Sequence, residues 1–299
     1  MVTVTALERP PGASNGLELW PTTLGAGRSA AHDVRVPVAI AVDRQGNLYV
    51  SDWHGDRVHR IGTDGQTLAV WGGSGDGPGK FSLPFGIAVD ENGNVYVVDG
   101  GNHRVQKLAP TGEVLAVWGR LGSEPGEFVM PRGVAVNRDG SLFVTDAGNH
   151  RVQKLSASGE PLADWGATTK PELGLEEPRS VAVDSSGNVY VADANWFRVL
   201  KLSSTGELLG SFGSLGLGPG EFRFPGGVAV DGQDDVYVLD TGNSRVQKLS
   251  PDGEPLAEWG RFGRGPGEIG NPLGFAVTGK GDLYVADSNQ ARIQVWSRK

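Results

Sequence analysis

The chain has 299 residues with no cysteine, 47 glycines, 18 prolines and a net charge of −8. The lack of cysteine excludes a disulfide scaffold, a thiolate zinc site and a cysteine nucleophile. The acidic balance argues against nucleic-acid binding, which needs a basic surface, and no apolar run reaches the length of a membrane-spanning helix.

From residue 37 onward the sequence repeats every 47 residues. Six prolines mark the units: Pro37, Pro84, Pro131, Pro178, Pro225 and Pro272. In Pro84–Gly119, four short segments rich in Val, Leu and aromatic residues alternate with turn sequences such as Glu91–Asn94 and Pro110–Glu113. Such segments indicate antiparallel strands joined by tight turns. Four strands in each unit are typical of a propeller blade, so we predict an all-β, six-bladed β-propeller of four-stranded antiparallel blades.

The sixth unit is one strand short, because the chain ends at Lys299 soon after its third strand. A candidate for the missing strand lies near the N-terminus, where Leu17–Trp20 is similar to Leu115–Trp118 of the second unit. We predict that this N-terminal strand completes the last blade and closes the ring. Closure would remove the exposed edge of that blade.

Strict 47-residue spacing would put Leu24 at the position that tryptophan holds in the other outer strands. We prefer Trp20 at that position, followed by a longer loop, because its segment fits a strand better. The predicted domain organisation is a tail over residues 1–16 and a single propeller over residues 17–299.

The end of the second strand and the third strand carry the motif D-x-G-N-H-R-V-Q-K, as in Asp99–Lys107 and Asp146–Lys154. This motif resembles the NHL repeat, and the resemblance covers residues 37–299 in six units. It implies a six-bladed propeller. The family includes RNA-binding modules, sensor domains of bacterial serine/threonine kinases and a peptide-amidating lyase, so it leaves the function open. We favour an extracellular or periplasmic location over a cytoplasmic one.

Residues present in every unit are expected to serve the blade. The inner strands share a small residue, because they converge: Ala41, Ala88, Ala135, Ala182, Ala229 and Ala276. An aspartate ends each second strand, and an arginine five residues later, as in Asp99 and Arg104, is expected to order the turn between them. The outer strands end on aromatic residues that we expect between blades: Trp71, Trp118, Trp165, Phe212 and Trp259.

The histidines within the strands and their turns are also expected to be structural. His103 and His150 fall on the His position of the repeat, and His59 aligns with Gln106. We expect His59 to face solvent.

Residues that differ between units at one face of the ring are the candidates for a site. We call this face the mouth, because the inner strands begin there beside the turns between second and third strands. The residue after the repeat proline varies: Val38, Phe85, Arg132, Arg179, Gly226 and Leu273. Glu177 precedes Pro178, and the fourth unit has an unusual turn, Ala194–Phe197, and approach loop. The first unit has Trp53 and His54 in its turn.

Two interpretations of these exceptions stay open. In the first, these loops have diverged in sequence without a binding role. In the second, their residues form a site for an anionic or planar ligand. Arginine suits carboxylate or phosphate, and tryptophan supplies stacking area. The predicted ligand-binding residues are Arg132, Arg179, Trp196, Phe197, Trp53, His54 and Glu177.

An enzyme is the alternative, with candidates for proton transfer at Glu177, His54 and His32. The family's lyase resemblance implies zinc-binding histidines directly after the repeat proline, and this chain has none there. Similar lactonase propellers would place a cation on Glu, Asn and Asp, of which only Glu177 and Asn271 are plausible here. We therefore predict no metal site and no cofactor.

The favoured function is a binding or sensor propeller that recognises a small ligand or a protein partner on the mouth face, as a monomer. The alternative is a small-molecule enzyme, a lyase or hydrolase, that uses the channel mouth. An RNA-binding module is less favoured, and a scaffold without a fixed ligand is a further possibility.

Overall fold

The computed structural model describes residues 19–24, 34–166 and 168–298. They form six four-stranded antiparallel sheets, and the inner strands of neighbouring sheets contact one another in a closed ring. The prediction of an all-β, six-bladed propeller is confirmed. The described residues contain no α-helix, and therefore no helix there that is long and apolar enough to cross a membrane.

In blades one to five the strands follow chain order from the channel outward, and in blade six the N-terminal β1 is the outermost strand. The inner strands are β2 (Pro37–Val42), β6 (Pro84–Val89), β10 (Pro131–Val136), β14 (Pro178–Val183), β18 (Pro225–Val230) and β22 (Pro272–Val277). The second strands are β3 (Leu48–Asp52), β7 (Val95–Asp99), β11 (Leu142–Asp146), β15 (Val189–Asp193), β19 (Val236–Asp240) and β23 (Leu283–Asp287). The third strands are β4 (Arg57–Ile61), β8 (Arg104–Leu108), β12 (Arg151–Leu155), β16 (Arg198–Leu202), β20 (Arg245–Leu249) and β24 (Arg292–Arg298). The outer strands are β5 (Thr67–Gly72), β9 (Val114–Trp118), β13 (Pro161–Gly166), β17 (Leu208–Phe212), β21 (Pro255–Trp259) and, for blade six, β1 (Leu19–Leu24).

The N-terminal strand β1 closes the ring, because it pairs with β24 of blade six. Its register differs from our expectation. Leu24 pairs with Ile293, as Trp71 pairs with Val58 in blade one, so the 47-residue spacing holds and the preference for Trp20 is wrong. The long strand β24 sets this register by pairing with all six residues of β1. The predicted tail over residues 1–16 lies outside the described residues.

A buried aspartate fastens each blade to the loop that enters it. In blade two, the Asp99 carboxylate accepts hydrogen bonds from Ser82 N at 2.7 Å, Arg104 Nε at 2.7 Å and Gln106 Nε2 at 3.0 Å. The same arginine and glutamine also donate to the Lys80 carbonyl. The approach loop, the second strand and the third strand therefore meet at one carboxylate.

Aromatic residues at the ends of the outer strands seal the blades against each other. A Cβ on Gly112 would lie 2.4 Å from Trp71 Nε1, and Gly112 has a φ of +89°. Glycine is needed there for both reasons, since L side chains rarely adopt this φ and the ring leaves no space. Trp118 and Trp165 pack in the same way on the turns of the next blades. The expected packing of these aromatic residues between blades is what the structure shows.

The histidine of β4 is buried, so the expectation that His59 faces solvent is wrong. Its side chain is 0% exposed, and Nε2 lies 3.6 Å from Asp52 Oδ2. The reason is its register: position 59 corresponds to Gln106, which is buried beneath an approach loop. His103 is structural as expected, because its Nδ1 accepts a hydrogen bond from Met130 N at 3.1 Å in the next blade.

Replacement of a blade aspartate by asparagine should destabilise the fold strongly. Asp146 is 0% exposed and binds Arg151 Nε at 2.8 Å, so Asp146→Asn would remove the buried anion of this guanidinium and leave it only the partly exposed Asp164, at 3.1 Å. We expect a loss of about 3 kcal/mol in the free energy of unfolding, measured by urea denaturation. Asp252→Asn, at a carboxylate that is 91% exposed, is the control and should change it by less than about 0.5 kcal/mol. Equal effects of the two substitutions would contradict this role.

The carboxylate of Asp52 should contribute to stability in a defined pH window. Burial alone raises its pKa, but His59 and the N–H groups of Arg35 and Val36 outweigh burial and lower the pKa to about 2. A depressed pKa stabilises the fold above the unfolded value near 4 and loses that effect as pH falls through about 2. The gap in unfolding free energy between the wild type and Asp52→Asn should therefore narrow by about 2 kcal/mol between pH 5 and pH 2. Urea unfolding curves with a constant gap would contradict this prediction.

Candidate functional site

A cavity of about 450 Å³ runs along the channel and is lined by all six inner strands. Neighbouring inner strands approach each other closely where glycine occupies the third position of the strand. A Cβ on Gly86 would lie 2.5 Å from the Arg132 carbonyl, and one on Gly274 would lie 2.2 Å from the Val38 carbonyl. Neighbouring strands therefore meet backbone to backbone. The side chains that shape the mouth come from positions nearer the start of each inner strand and from the turn beside it.

Two positions in each blade form the mouth: the residue after the repeat proline and the residue after the repeat aspartate. The proline and the aspartate pair directly, so the residues that follow them are close neighbours. In blade two the Phe85 ring covers Gly100, whose Cβ would lie 2.4 Å from it. In blade five the arrangement is reversed, because Thr241 Oγ1 lies 2.5 Å from where a Cβ of Gly226 would be. In these two blades, a larger side chain at one position accompanies glycine at the other.

Aromatic and charged side chains form a contiguous group on one arc of the mouth. We call Trp53, Phe85, Arg132, Arg179 and Glu177 the mouth cluster. The Trp53 and Phe85 rings lie 6.0 Å apart between centroids, and the Arg132 guanidinium lies over the Phe85 ring at 4.7 Å. These contacts join blades one, two and three.

The two arginines of the mouth cluster differ in their partners. Arg179 is neutralised by Glu177, with Nε and a terminal nitrogen at 2.9 and 2.8 Å from Oε1. The Arg132 side chain makes no hydrogen bond or ion pair with any described residue, although it is half-buried. Burial and the nearby Arg179 both lower the pKa of Arg132, and Glu177 opposes them. Arginine stays protonated at neutral pH, so a positive charge with unused donors stands at the mouth.

The opposite opening of the channel is acidic. A second cavity of about 370 Å³ lies there among the turns that follow the inner strands. Its charged residues are Asp90, Glu91, Arg138, Asp184, Asp231 and Asp234. Most are occupied in turns: Asp184, for example, accepts hydrogen bonds from Asn188 N and Nδ2 at 2.8 Å. The channel thus has a cationic end at the mouth and an anionic end opposite it.

The predicted site residues of the fourth blade's turn do not join the mouth cluster. Trp196 is 56% exposed and lies 6.0 Å from the guanidinium of its neighbour Arg198. Phe197 packs edge-on against Phe224 at 5.3 Å, in the seam to blade five. Neither lines the channel cavity. Their role in ligand binding stays a prediction.

The unusual approach loop of the fourth blade packs against its blade through apolar side chains. Leu173 and Leu175 are buried there and cluster with Leu200, which stands where Gln106 and Gln153 stand in blades two and three. Apolar packing therefore replaces the glutamine hydrogen bonds. The irregular sequence, which suggested a site, has a structural explanation.

The candidates for proton transfer are dispersed. Glu177 is held by Arg179, and His54 is exposed beside Trp53, with 6.2 Å between ring centroids. His32 lies outside the described residues. Within the described part of the chain, no three His, Asp or Glu side chains are grouped as a metal site would require.

Two residues of the mouth did not emerge as candidates from the sequence. Phe85 was visible at the position after the proline but looked like an ordinary apolar residue. Thr241 would have emerged from comparing the residues after the repeat aspartate: Trp53, Gly100, Ala147, Ala194, Thr241 and Ser288. Only Trp53, Thr241 and Ser288 in this set carry a polar group.

Comparisons with known proteins identify the repeat and the fold. The profile of the NHL repeat matches residues 81–108, 128–155, 175–202, 222–249 and 270–296. No curated protein matches the chain by sequence.

Solved structures share the architecture at low identity. A gluconolactonase from Xanthomonas campestris has a TM-score of 0.71 and 18% identity, with 99% of this chain and 97% of that chain covered. A streptogramin B lyase has a TM-score of 0.65 and 12% identity, with coverage of 94% and 98%. An inactive variant of virginiamycin B lyase from Staphylococcus aureus, with quinupristin, has a TM-score of 0.64 and 14% identity, with coverage of 94% and 88%. At these identities the similarity concerns the fold alone.

Proposed function

The chain is an NHL-repeat six-bladed β-propeller, and we propose that it is a binding propeller whose channel mouth holds a small organic anion. The ligand's anionic group would lie at Arg132 and Arg179, and its planar or apolar part would lie against Phe85 and Trp53.

One observation carries this proposal: Arg132 is half-buried and has no anionic partner among the described residues. Elsewhere in the propeller, arginines that lie this close to the interior are paired, as Arg151 is with Asp146 at 2.8 Å. A guanidinium removed from water without an anion is costly. An anionic ligand would supply the missing partner, and a carboxylate fits the fork of the guanidinium well.

The charges along the channel favour the same ligand and the same direction of entry. The acids at the opposite opening repel an anion, while the mouth attracts it. Glu177 cancels the charge of Arg179, so the three charged groups of the mouth cluster sum to +1. A ligand with one carboxylate matches this charge better than a ligand with several phosphates.

A small-molecule enzyme is the second candidate. The fold is shared with proteins named as a lyase and a gluconolactonase, and the cavity has a volume typical of small-molecule sites. Glu177 would be the acid or base, and it would have to leave Arg179 first. Conversion of a bound carboxylate to product, followed by mass spectrometry, would favour this candidate over a binding propeller.

Removal of the Arg132 charge should weaken anion binding. We expect Arg132→Met to lower the affinity for benzoate at least about 10-fold in isothermal titration calorimetry, because a charge-assisted hydrogen bond is lost while most of the side-chain volume remains. Arg223→Met, at an exposed arginine of the same face that does not line the channel, is the matched control. Equal affinities for all three proteins, or no binding of benzoate to the wild type, would contradict the proposal.

Release of Arg179 from its partner should have the opposite effect. Glu177→Gln removes the carboxylate that neutralises Arg179, so we expect about 5-fold tighter benzoate binding, measured in the same titration. Glu176→Gln changes the exposed neighbouring acid and should leave the affinity within about 2-fold. Weaker binding by Glu177→Gln would mean that Glu177 supports the site rather than competing with the ligand.

A further inference from the structure

We infer that the ligand of the channel mouth is a hydroxylated aromatic carboxylate, whose carboxylate is bound by Arg132 and whose neutral oxygen is bound by Trp53 and Thr241. This inference rests on the proposed function, because it places the carboxylate at Arg132. It adds the chemistry of the other end of the ligand.

Two polar atoms in the wall of the channel are unused. Trp53 Nε1 and Thr241 Oγ1 are buried and have no hydrogen-bond partner in the described part of the chain. Both residues line the channel cavity. A buried donor without a partner is unfavourable, so such groups are normally paired. Two of them in the wall of one cavity point to a ligand that supplies the partner.

The matching position in the other blades supports this interpretation. Gly100, Ala147 and Ala194 carry no polar side-chain atom there, and Ser288 uses its hydroxyl on the Pro37 carbonyl at 2.6 Å. Four of the six blades therefore fold without an unpaired polar side-chain atom at this position. The indole N–H and the threonine hydroxyl are features of blades one and five alone.

Their placement puts them in other blades than the charge. In the ring of six, blade one with Trp53 and blade five with Thr241 each lie two blades from blade three with Arg132. Trp53 is joined to Arg132 through Phe85, with 6.0 Å between the two ring centroids and 4.7 Å from the Phe85 ring to the Arg132 guanidinium. Thr241 Oγ1 also occupies the space that a Gly226 side chain would fill, at the level where Arg132 and Arg179 begin in their own blades.

Apolar side chains line the cavity beside these polar groups. Val38 and Leu273 occupy the position after the repeat proline in blades one and six, and both line the cavity. A linear ligand with hydroxyl groups along its length would leave its middle hydroxyls unpaired against these two apolar side chains. A rigid ring with a carboxylate at one end and a hydroxyl at the other satisfies the charge, the apolar wall and the two unused polar groups together. Trp53 N–H needs an acceptor, and Thr241 can accept the hydroxyl proton.

The test compares three probes that differ by one group: 4-hydroxybenzoate, benzoate and 4-hydroxybenzyl alcohol. In calorimetric titrations of the wild type, we expect 4-hydroxybenzoate to bind about 5-fold more tightly than benzoate, because it gains neutral hydrogen bonds. The alcohol should bind at least about 10-fold more weakly than 4-hydroxybenzoate, because it lacks the anion. Thr241→Val should reduce the preference for 4-hydroxybenzoate over benzoate while leaving the benzoate affinity within about 2-fold. Trp53→Phe should also reduce this preference, and here the ratio of the two affinities is the readout because Trp53 also contacts the ligand ring.

The controls separate hydrogen bonding from packing. Thr241→Val keeps the side-chain shape, so it tests the hydroxyl even where Trp53→Phe disturbs the packing against Phe85. Trp196→Phe makes the same change at an exposed tryptophan outside the cavity and should leave both affinities unaltered.

The outcomes distinguish this inference from the proposed function. Equal binding of benzoate and 4-hydroxybenzoate to the wild type, both weakened by Arg132→Met, would overturn the inference and leave the anion site standing. A preference that survives in both Thr241→Val and Trp53→Phe would also overturn it. Failure of both carboxylates to bind would overturn the inference together with the proposed function.

Discussion

A carboxylate buried at the end of the second strand holds each blade of this propeller together. In blade two, Asp99 pairs in the sheet with Pro84, accepts a backbone N–H from the entering loop and binds Arg104 and Gln106. Since the charge is buried, replacing either partner of the ion pair between Asp99 and Arg104 would strongly destabilise the blade. The mouth edge of every blade is therefore fixed in position by groups that the ligand site does not need.

This constraint separates the scaffold from the site. The proline and the aspartate are held, but the side chains that follow them project beside the channel and vary from blade to blade. Arg132 and Arg179 stand in adjacent blades on the same frame that carries Gly226 and Leu273 elsewhere. A repetitive fold thus acquires an asymmetric mouth on six sheets of the same topology, with its two arginines in neighbouring blades.

The repeat made most of the fold predictable. Six equal spacings and four strand-like segments in each unit predict the blades, because each segment's strand propensity agrees with its neighbours. The closing strand was harder. Leu17–Trp20 looks more like a strand than the residues that follow it, yet pairing along β24 decides the register and puts Leu24 at the tryptophan position. Pairing between the two ends of the chain is not visible in local sequence.

The site was predictable only in part, since sequence spacing does not give the direction of a side chain in a turn. Arg132 and Arg179 follow a residue whose place in the ring is known, and both line the channel. Trp53 and Trp196 occupy the same kind of turn, but two positions apart in the repeat, so one lines the channel and the other faces outward. Leu200 likewise takes its surroundings from the approach loop of its blade, whose Leu173 and Leu175 pack against it, and His59 is buried beside Asp52 of the neighbouring strand.

The most direct test of the account is a crystal structure of the protein with 4-hydroxybenzoate. We predict density for the ring within the channel mouth, with the carboxylate in hydrogen-bond contact with Arg132 and the phenol oxygen toward Trp53 and Thr241. Binding in solution together with a ligand seated elsewhere, for example on the outer rim beside Trp196, would contradict it.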